Sequence, residues 1–173
     1  MFLPITNEPR NYEWGSLTAI SGLLGRQASG SPEAELWLGD HPGSPAQILD
    51  QDLANGATTL DHWIAADPVT ALGTDSGEAR LGFLLKILAA DAPLSLQAHP
   101  TREQAVTGFA RENAAGIPLD AAHRNYKDVQ HKPEVIYALS ETFEALASPS
   151  GAVRRCICRP ATSMPTCKGS QLK

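Results

Sequence analysis

Residues Pro93–Pro100 read PLSLQAHP, and the alternation in this stretch decides how the fold is read. Successive side chains of a strand point to opposite faces, so Leu94, Leu96 and Ala98 share one face while Ser95, Gln97 and His99 share the other. The first set suits a core and the second suits chemistry. Gln97 and His99 sit two positions apart, about 6.6 Å at the rise of a strand, so an amide oxygen and an imidazole nitrogen can converge on one ion. That donor pair is compatible with a borderline divalent metal such as zinc. The same pattern also describes an edge strand with a solvated polar face, and the stretch alone leaves both readings open.

Around it, 173 residues suffice for one domain with a sizeable core. A hydrophobic share of 42% beside 19% charged residues reads as globular and soluble. No apolar run approaches the roughly 20 residues of a membrane helix, so no membrane partner is expected. The start, MFLPITNEPR, lacks the basic beginning and long apolar block of a secretory signal, and a cytoplasmic location is the expectation. All 19 acidic residues lie at or before Glu144 with nine Lys and Arg, a balance of 9 − 19 = −10. The other five basic residues are Arg154, Arg155, Arg159, Lys168 and Lys173. An acidic body argues against nucleic acid as a partner, because phosphate binding rests on clustered Lys and Arg.

Towards the N-terminus, Tyr12 and Trp14 of NYEWG share a face if extended. Tyr12 reads as packing, and Trp14 either packs or walls a ligand with its ring. Leu17, Ile20, Leu23 and Leu24 predict a short helix ended by Gly25. In AELWLGDHP, Ala34, Leu36 and Leu38 alternate with Glu35 and Trp37, which predicts a strand. Glu35 there is either solvated on an edge or satisfied by a partner. His41 reads as a loop residue. Leu60, Trp63 and Ile64 predict a helix capped by Thr58 or Thr59, with His62 facing solvent, and Asp67-Pro68 starts another. Leu81–Ala90 is almost continuously apolar and predicts a buried strand. Lys86 inside it either snorkels to the surface or points into an anion-binding cavity.

Beyond His99, Thr101 and Gln104 have the spacing of a capping box. They predict a helix whose apolar face is Val106, Phe109 and Ala110, with Gly108 a mild weakness. A polar loop then leads to a predicted strand in which Val135, Tyr137 and Leu139 share one face and Glu134, Ile136 and Ala138 the other. Two strands of one sheet can bring Glu134 to Gln97 and His99.

Taken together, YEWG at 12–15, AELWLG at 34–39, LLKIL at 84–88, PLSLQAHP, and ENAAGIPLDAAHRNYKD leading to HKPE at 131–134 resemble the type I mannose-6-phosphate isomerases. These are zinc enzymes of the cupin superfamily. The resemblance runs in order from about residue 8 to about residue 146. It implies a mainly β fold with helices, a partial cupin (jelly-roll type) β-sandwich truncated relative to the family. Residues 1–147 would be an incomplete N-terminal catalytic region. It implies one zinc ion held by Gln97 and His99 of QAHP and by Glu134 of HKPE. Trp14 and Glu35 are implied in the substrate pocket, Lys86 and Lys132 are similar to family lysines around the sugar phosphate, and Ser95 shares the metal-bearing strand face. The implied reaction interconverts mannose 6-phosphate and fructose 6-phosphate through an enediol. It needs an electrophile and an acid/base group. His131 and Lys132 are the candidates for proton transfer.

After FEAL at 143–146 the resemblance stops. The family draws a second histidine ligand and a catalytic arginine from later strands, and nothing in residues 148–173 replaces them, so the fourth zinc ligand is expected to be absent. That segment holds Cys156, Cys158 and Cys167, the only cysteines. It reads as a divergent, disordered basic tail. A small metal site is the other reading, although the spacing does not fit a four-ligand zinc module. A sheet lacking later strands would leave edges open to self-association. Two functions therefore stand side by side: the isomerase, impaired by truncation, and a non-catalytic cupin piece that binds zinc or a sugar phosphate. A cupin iron oxygenase would want two histidines and a carboxylate, and Gln97 argues against it.

Overall fold

A computed structural model describes residues 2–73, 79–94, 99–131 and 133–140, and the backbone of three strands beyond them. The chain divides into two compact units, Met1–Leu94 and Ser95–Lys173. Both are built from short antiparallel strands and helices. No helix among the described residues is long and apolar enough to cross a membrane.

The first unit runs β1 (Ile5–Thr6), α1 (Ala19–Leu23), β2 (Glu35–Leu38), β3 (Gln47–Ile48), α2 (Leu60–Ala66), α3 (Pro68–Leu72) and β4 (Leu85–Leu88). β1 pairs with β3, and β2 with β4. In the second pair Glu35 lies opposite Leu88 and Trp37 opposite Lys86. The NYEWG segment is laid along this ladder: Arg10 bridges Glu35, Ser16 bridges Glu33 and Gly15 bridges Ala90. A Cβ on Gly15 would stand 2.6 Å from the Ala34 backbone, so this close approach requires glycine.

Ala46, Leu60 and Ile64 form a buried cluster, with Leu3, Ile5, Trp63, Ala71, Leu72 and Leu81 packed against it. Each fully buried Ile or Leu contributes about 1.5–3 kcal/mol. Thr59 precedes α2, and Asp67 caps α3 by accepting from the Thr70 N–H at 3.0 Å. Of the apolar positions predicted for α1, Ile20 alone is buried; Leu17, Leu23 and Leu24 are exposed. Ser21 takes the remaining inward place, its N–H donating to Glu33 Oε2 at 2.9 Å.

β4 falls within the apolar run predicted as a strand, yet the strand is not buried. Phe83, just before it, is 68% exposed and Leu85 55%, because among the described residues β4 pairs with β2 alone. The strand predicted at 93–100 is not seen at its ends: Pro93, Leu94, His99 and Pro100 are in irregular backbone, and Ser95, Leu96, Gln97 and Ala98 lie outside the described residues.

The second unit opens with α4 (Arg102–Ala114). Its capping box is formed on both sides: Thr101 Oγ1 accepts from the Gln104 N–H at 3.2 Å and Gln104 Oε1 from the Thr101 N–H at 2.9 Å. The buried face is Ala105, Gly108 and Glu112, while Val106 is half exposed. The predicted apolar face was thus misplaced, because a buried carboxylate and a glycine carry no apolar signal. Gly108 is there for packing: a Cβ would meet the Tyr126 ring at 2.6 Å.

Residues 134–139, predicted as a strand, have irregular backbone. Val135 is 99% and Leu139 70% exposed; a strand needs a ladder partner, and none among the described residues runs beside them. Beyond residue 140 the described backbone is that of three strands, of which the last two fall within 148–173. β5 (Phe143–Ala147), β6 (Arg154–Cys158) and β7 (Lys168–Gln171) form one antiparallel sheet in that order. Cys156 and Cys158 alternate with Ile157 along β6, and Cys167 lies outside the described residues.

Candidate metal and substrate site

Each unit carries part of the predicted residue set. In the first, strand alternation puts Glu35 and Trp37 on one face of β2, and the register sets Lys86 directly across from Trp37. Glu35 is 8% exposed, and both of its oxygens are engaged. Oε2 accepts from the Trp37 indole Nε1–H at 2.7 Å, and Oε1 lies 3.9 Å from Lys86 Nζ. Of the two fates open to Glu35, the satisfied partner is the one observed. Lys86 neither stands alone nor fully snorkels, since its ammonium is held toward this carboxylate.

Aromatic and cationic contacts extend the set toward the N-terminus. The Arg10 guanidinium lies 5.3 Å from the Trp37 ring centroid and 5.7 Å from that of Tyr12. Tyr12 stacks on Trp14 at 5.7 Å and 24°. Trp14 is fixed by its backbone, the carbonyl accepting from Asp91 and Ala92 N–H at 2.9 and 3.2 Å. Trp14, Glu35 and Lys86 therefore belong to one chain of contacts, linked by Tyr12, Arg10 and Trp37. Sequence reading gave no role to Arg10 or Trp37. For Trp37 a signal existed, since it follows Glu35 by two residues on the same strand face.

In the second unit His99 Nε2 lies 3.4 Å from Glu134 Oε2, with both side chains partly exposed. Two of the three predicted metal ligands thus meet; Gln97 lies outside the described residues, as do Ser95 and Lys132. His131 is described and half-buried, and its Nδ1 is buried without a hydrogen-bond partner. Among the described residues no group of three His, Cys, Asp or Glu could hold a metal ion. The backbone carrying Glu134 is anchored upstream: Glu112 accepts from Tyr126 N–H at 2.8 Å and from Asn125 N–H at 3.2 Å. These bonds, the Tyr126 N–H foremost, hold the Glu112 carboxyl below its ordinary value of 4.5.

A family model described as "Phosphomannose isomerase type I, catalytic domain" matches residues 2–148. The chain belongs to the type I phosphomannose isomerase family. Among relatives of that family, the mannose-6-phosphate isomerase of Escherichia coli (strain K12) is 46% identical over 139 residues, covering 79% of this chain and 35% of that one. That of Homo sapiens is 35% identical over 148 residues, covering 79% and 32%. The crystal structure of the Salmonella typhimurium mannose 6-phosphate isomerase bound to substrate and a zinc atom matches with a TM-score of 0.69 at 42% identity, over 84% of this chain and 38% of that chain. The chain spans about a third of the length of these type I phosphomannose isomerases.

Proposed function

We propose that this chain works as a zinc-dependent aldose–ketose isomerase that interconverts mannose 6-phosphate and fructose 6-phosphate. The observation that carries the reading is the meeting of His99 and Glu134, two donors brought together from positions 35 residues apart. Ligand atoms 2.0–2.2 Å from a tetrahedral ion stand about 3.4 Å apart. The 3.4 Å between His99 Nε2 and Glu134 Oε2 fits two neighbouring corners of such a site. Gln97 completes the set of three as the neutral oxygen donor.

Bound zinc supplies a Lewis acid for the sugar's carbonyl and hydroxyl oxygens. The remaining work falls to side chains. His131, three residues before Glu134 and with an unengaged Nδ1, moves the proton between the two carbons together with Lys132. Lys86 offers its ammonium to the phosphate, and Glu35 holds it from behind. Trp14 walls the sugar, and Ser95 reaches the phosphate or the metal's outer ligands. Family membership also supports a cupin jelly roll, a catalytic region over 1–147 distinct from 148–173, and a cytoplasmic location.

One sample tests this, assayed both for fructose 6-phosphate formed from mannose 6-phosphate and for zinc content. Turnover with about one zinc per chain is the expected result. Zinc without turnover replaces the reading with a non-catalytic zinc or sugar-phosphate binder, and neither zinc nor turnover overturns it.

A further inference from the structure

The segment ENAAGIPLDAAHRNY, residues 112–126, is among the most distinctive of the chain, yet no step of the reaction uses it. Its chemistry is concentrated in two buried ions. Glu112 and Arg124 are each 5% exposed, and Arg124 Nε lies 3.8 Å from Glu112 Oε2. Arg124 spends its donors on the chain itself: Nε on the Tyr126 carbonyl and Nη2 on Asn113 Oδ1, both at 2.7 Å, and Nη1 on the Ile117 carbonyl. Its guanidinium also covers the Phe109 ring at 5.1 Å. Glu112 accepts from both Asn125 and Tyr126, and Tyr126 closes the contact by lying on the gap left at Gly108. The loop from 117 to 126 is therefore fastened to the same helix whose cap, Thr101, follows His99 by two residues.

We infer that Glu112 and Arg124 are positioning residues for the metal site, clasping the loop to α4 so that Glu134 is delivered to His99. The inference rests on the reading of those two residues as metal ligands. Along the chain, 22 residues separate Glu112 from Glu134; with Tyr126 fastened, the stretch from that anchor to Glu134 is eight. The chance that two chain ends meet falls roughly as the −3/2 power of the connecting length. Cutting 22 to eight therefore raises the local presence of Glu134 at His99 about fivefold.

Cobalt(II), titrated into the whole chain and followed by its visible absorption, is the probe. Glu112→Gln keeps the side-chain shape but turns one acceptor into a donor facing N–H groups. Its expected result is cobalt binding weakened about fivefold at a temperature where circular dichroism shows the variant folded. Glu103→Gln, an exposed glutamate of the same helix, is expected to bind as the parent does. A role in stability alone would lower the melting temperature and leave cobalt affinity unchanged, and that result overturns the inference. If Glu112→Gln does not fold, Asn125→Ala, which removes one part-buried side-chain contact to Glu112, decides: weakened binding supports the clasp and unchanged binding overturns it. Cobalt binding absent from the parent sinks the metal reading itself, and this inference with it.

Discussion

The two sets of site residues are held by different means. Glu35, Trp37 and Lys86 take their places from a strand ladder, where backbone pairing fixes the register and the side chains follow. His99 and Glu134 sit in irregular backbone, and their meeting depends on side chains elsewhere, a capping box after one and a buried ion clasp before the other. A ladder distributes its hold over many backbone bonds. A clasp concentrates it in two residues, so the second set is open to single substitutions far from the chemistry.

Substitutions test that contrast most strongly at the His99–Glu134 pair. His99→Ala is expected to remove zinc and lower turnover by about 10³-fold, roughly 4 kcal/mol. Its unfolding midpoint in metal-free buffer should stay nearly unchanged because the His99 side chain is partly exposed; zinc analysis beside a urea melt in chelator checks both halves. Next comes Arg124→Ala, which leaves Glu112 without its cation and three acceptors without their donor. It is expected to cost about 3 kcal/mol in urea unfolding. A value below that of a ladder substitution would erase the distinction drawn above. Gly15→Ala is the ladder's counterpart, forcing a Cβ into the Ala34 backbone, and about 2 kcal/mol is expected by the same melt. Trp37→Phe keeps the ring but withdraws the 2.7 Å donor from a buried carboxylate. That change should cost about 1–2 kcal/mol, with the effect on substrate binding seen in KM before kcat.

Acid should weaken both units. Glu112 is held below its ordinary value chiefly by the Tyr126 N–H. For Glu33, burial alone would raise the carboxyl, but hydrogen bonds from Ser29 and Ser21 outweigh it, and its value too is lowered. A depressed native value means that the unfolded chain takes up protons first. The stability these groups supply is therefore full above their ordinary 4.5 and is lost as the pH falls through their native values. Urea midpoints between pH 6 and 3.5 should decline, and Glu112→Gln should flatten the decline if Glu112 is one of its sources.

What the sequence disclosed follows the same division. Local signals read correctly: the Thr101–Gln104 box, Asp67-Pro68 at a helix start, and the alternation of AELWL each act within a few residues. His99 and Glu134 do meet, each from irregular backbone rather than from within a strand. The clasp was illegible because a buried Glu and Arg twelve positions apart look like any two surface charges until a loop folds between them. Gly108 was read as a flaw in a helix for the same reason, its partner being Tyr126 eighteen residues on. The apolar run at 81–90 gave the strand but not its exposure, since a run of side chains says nothing of how many strands will flank it.

The β2–β4 register has a kinetic consequence. Its partners are far apart along the chain, Glu35 with Leu88 and Leu38 with Leu85, whereas α2 and α3 need only near neighbours. Closing so long a loop must precede any reward from pairing, and contacts of high sequence separation form slowly. During refolding the amides of β4 should gain protection from hydrogen exchange after those of α2, and simultaneous protection would contradict this order. Lys86 would then reach Glu35 only in the last stage of folding, so an unfinished chain lacks this charge pair even when its helices are already in place.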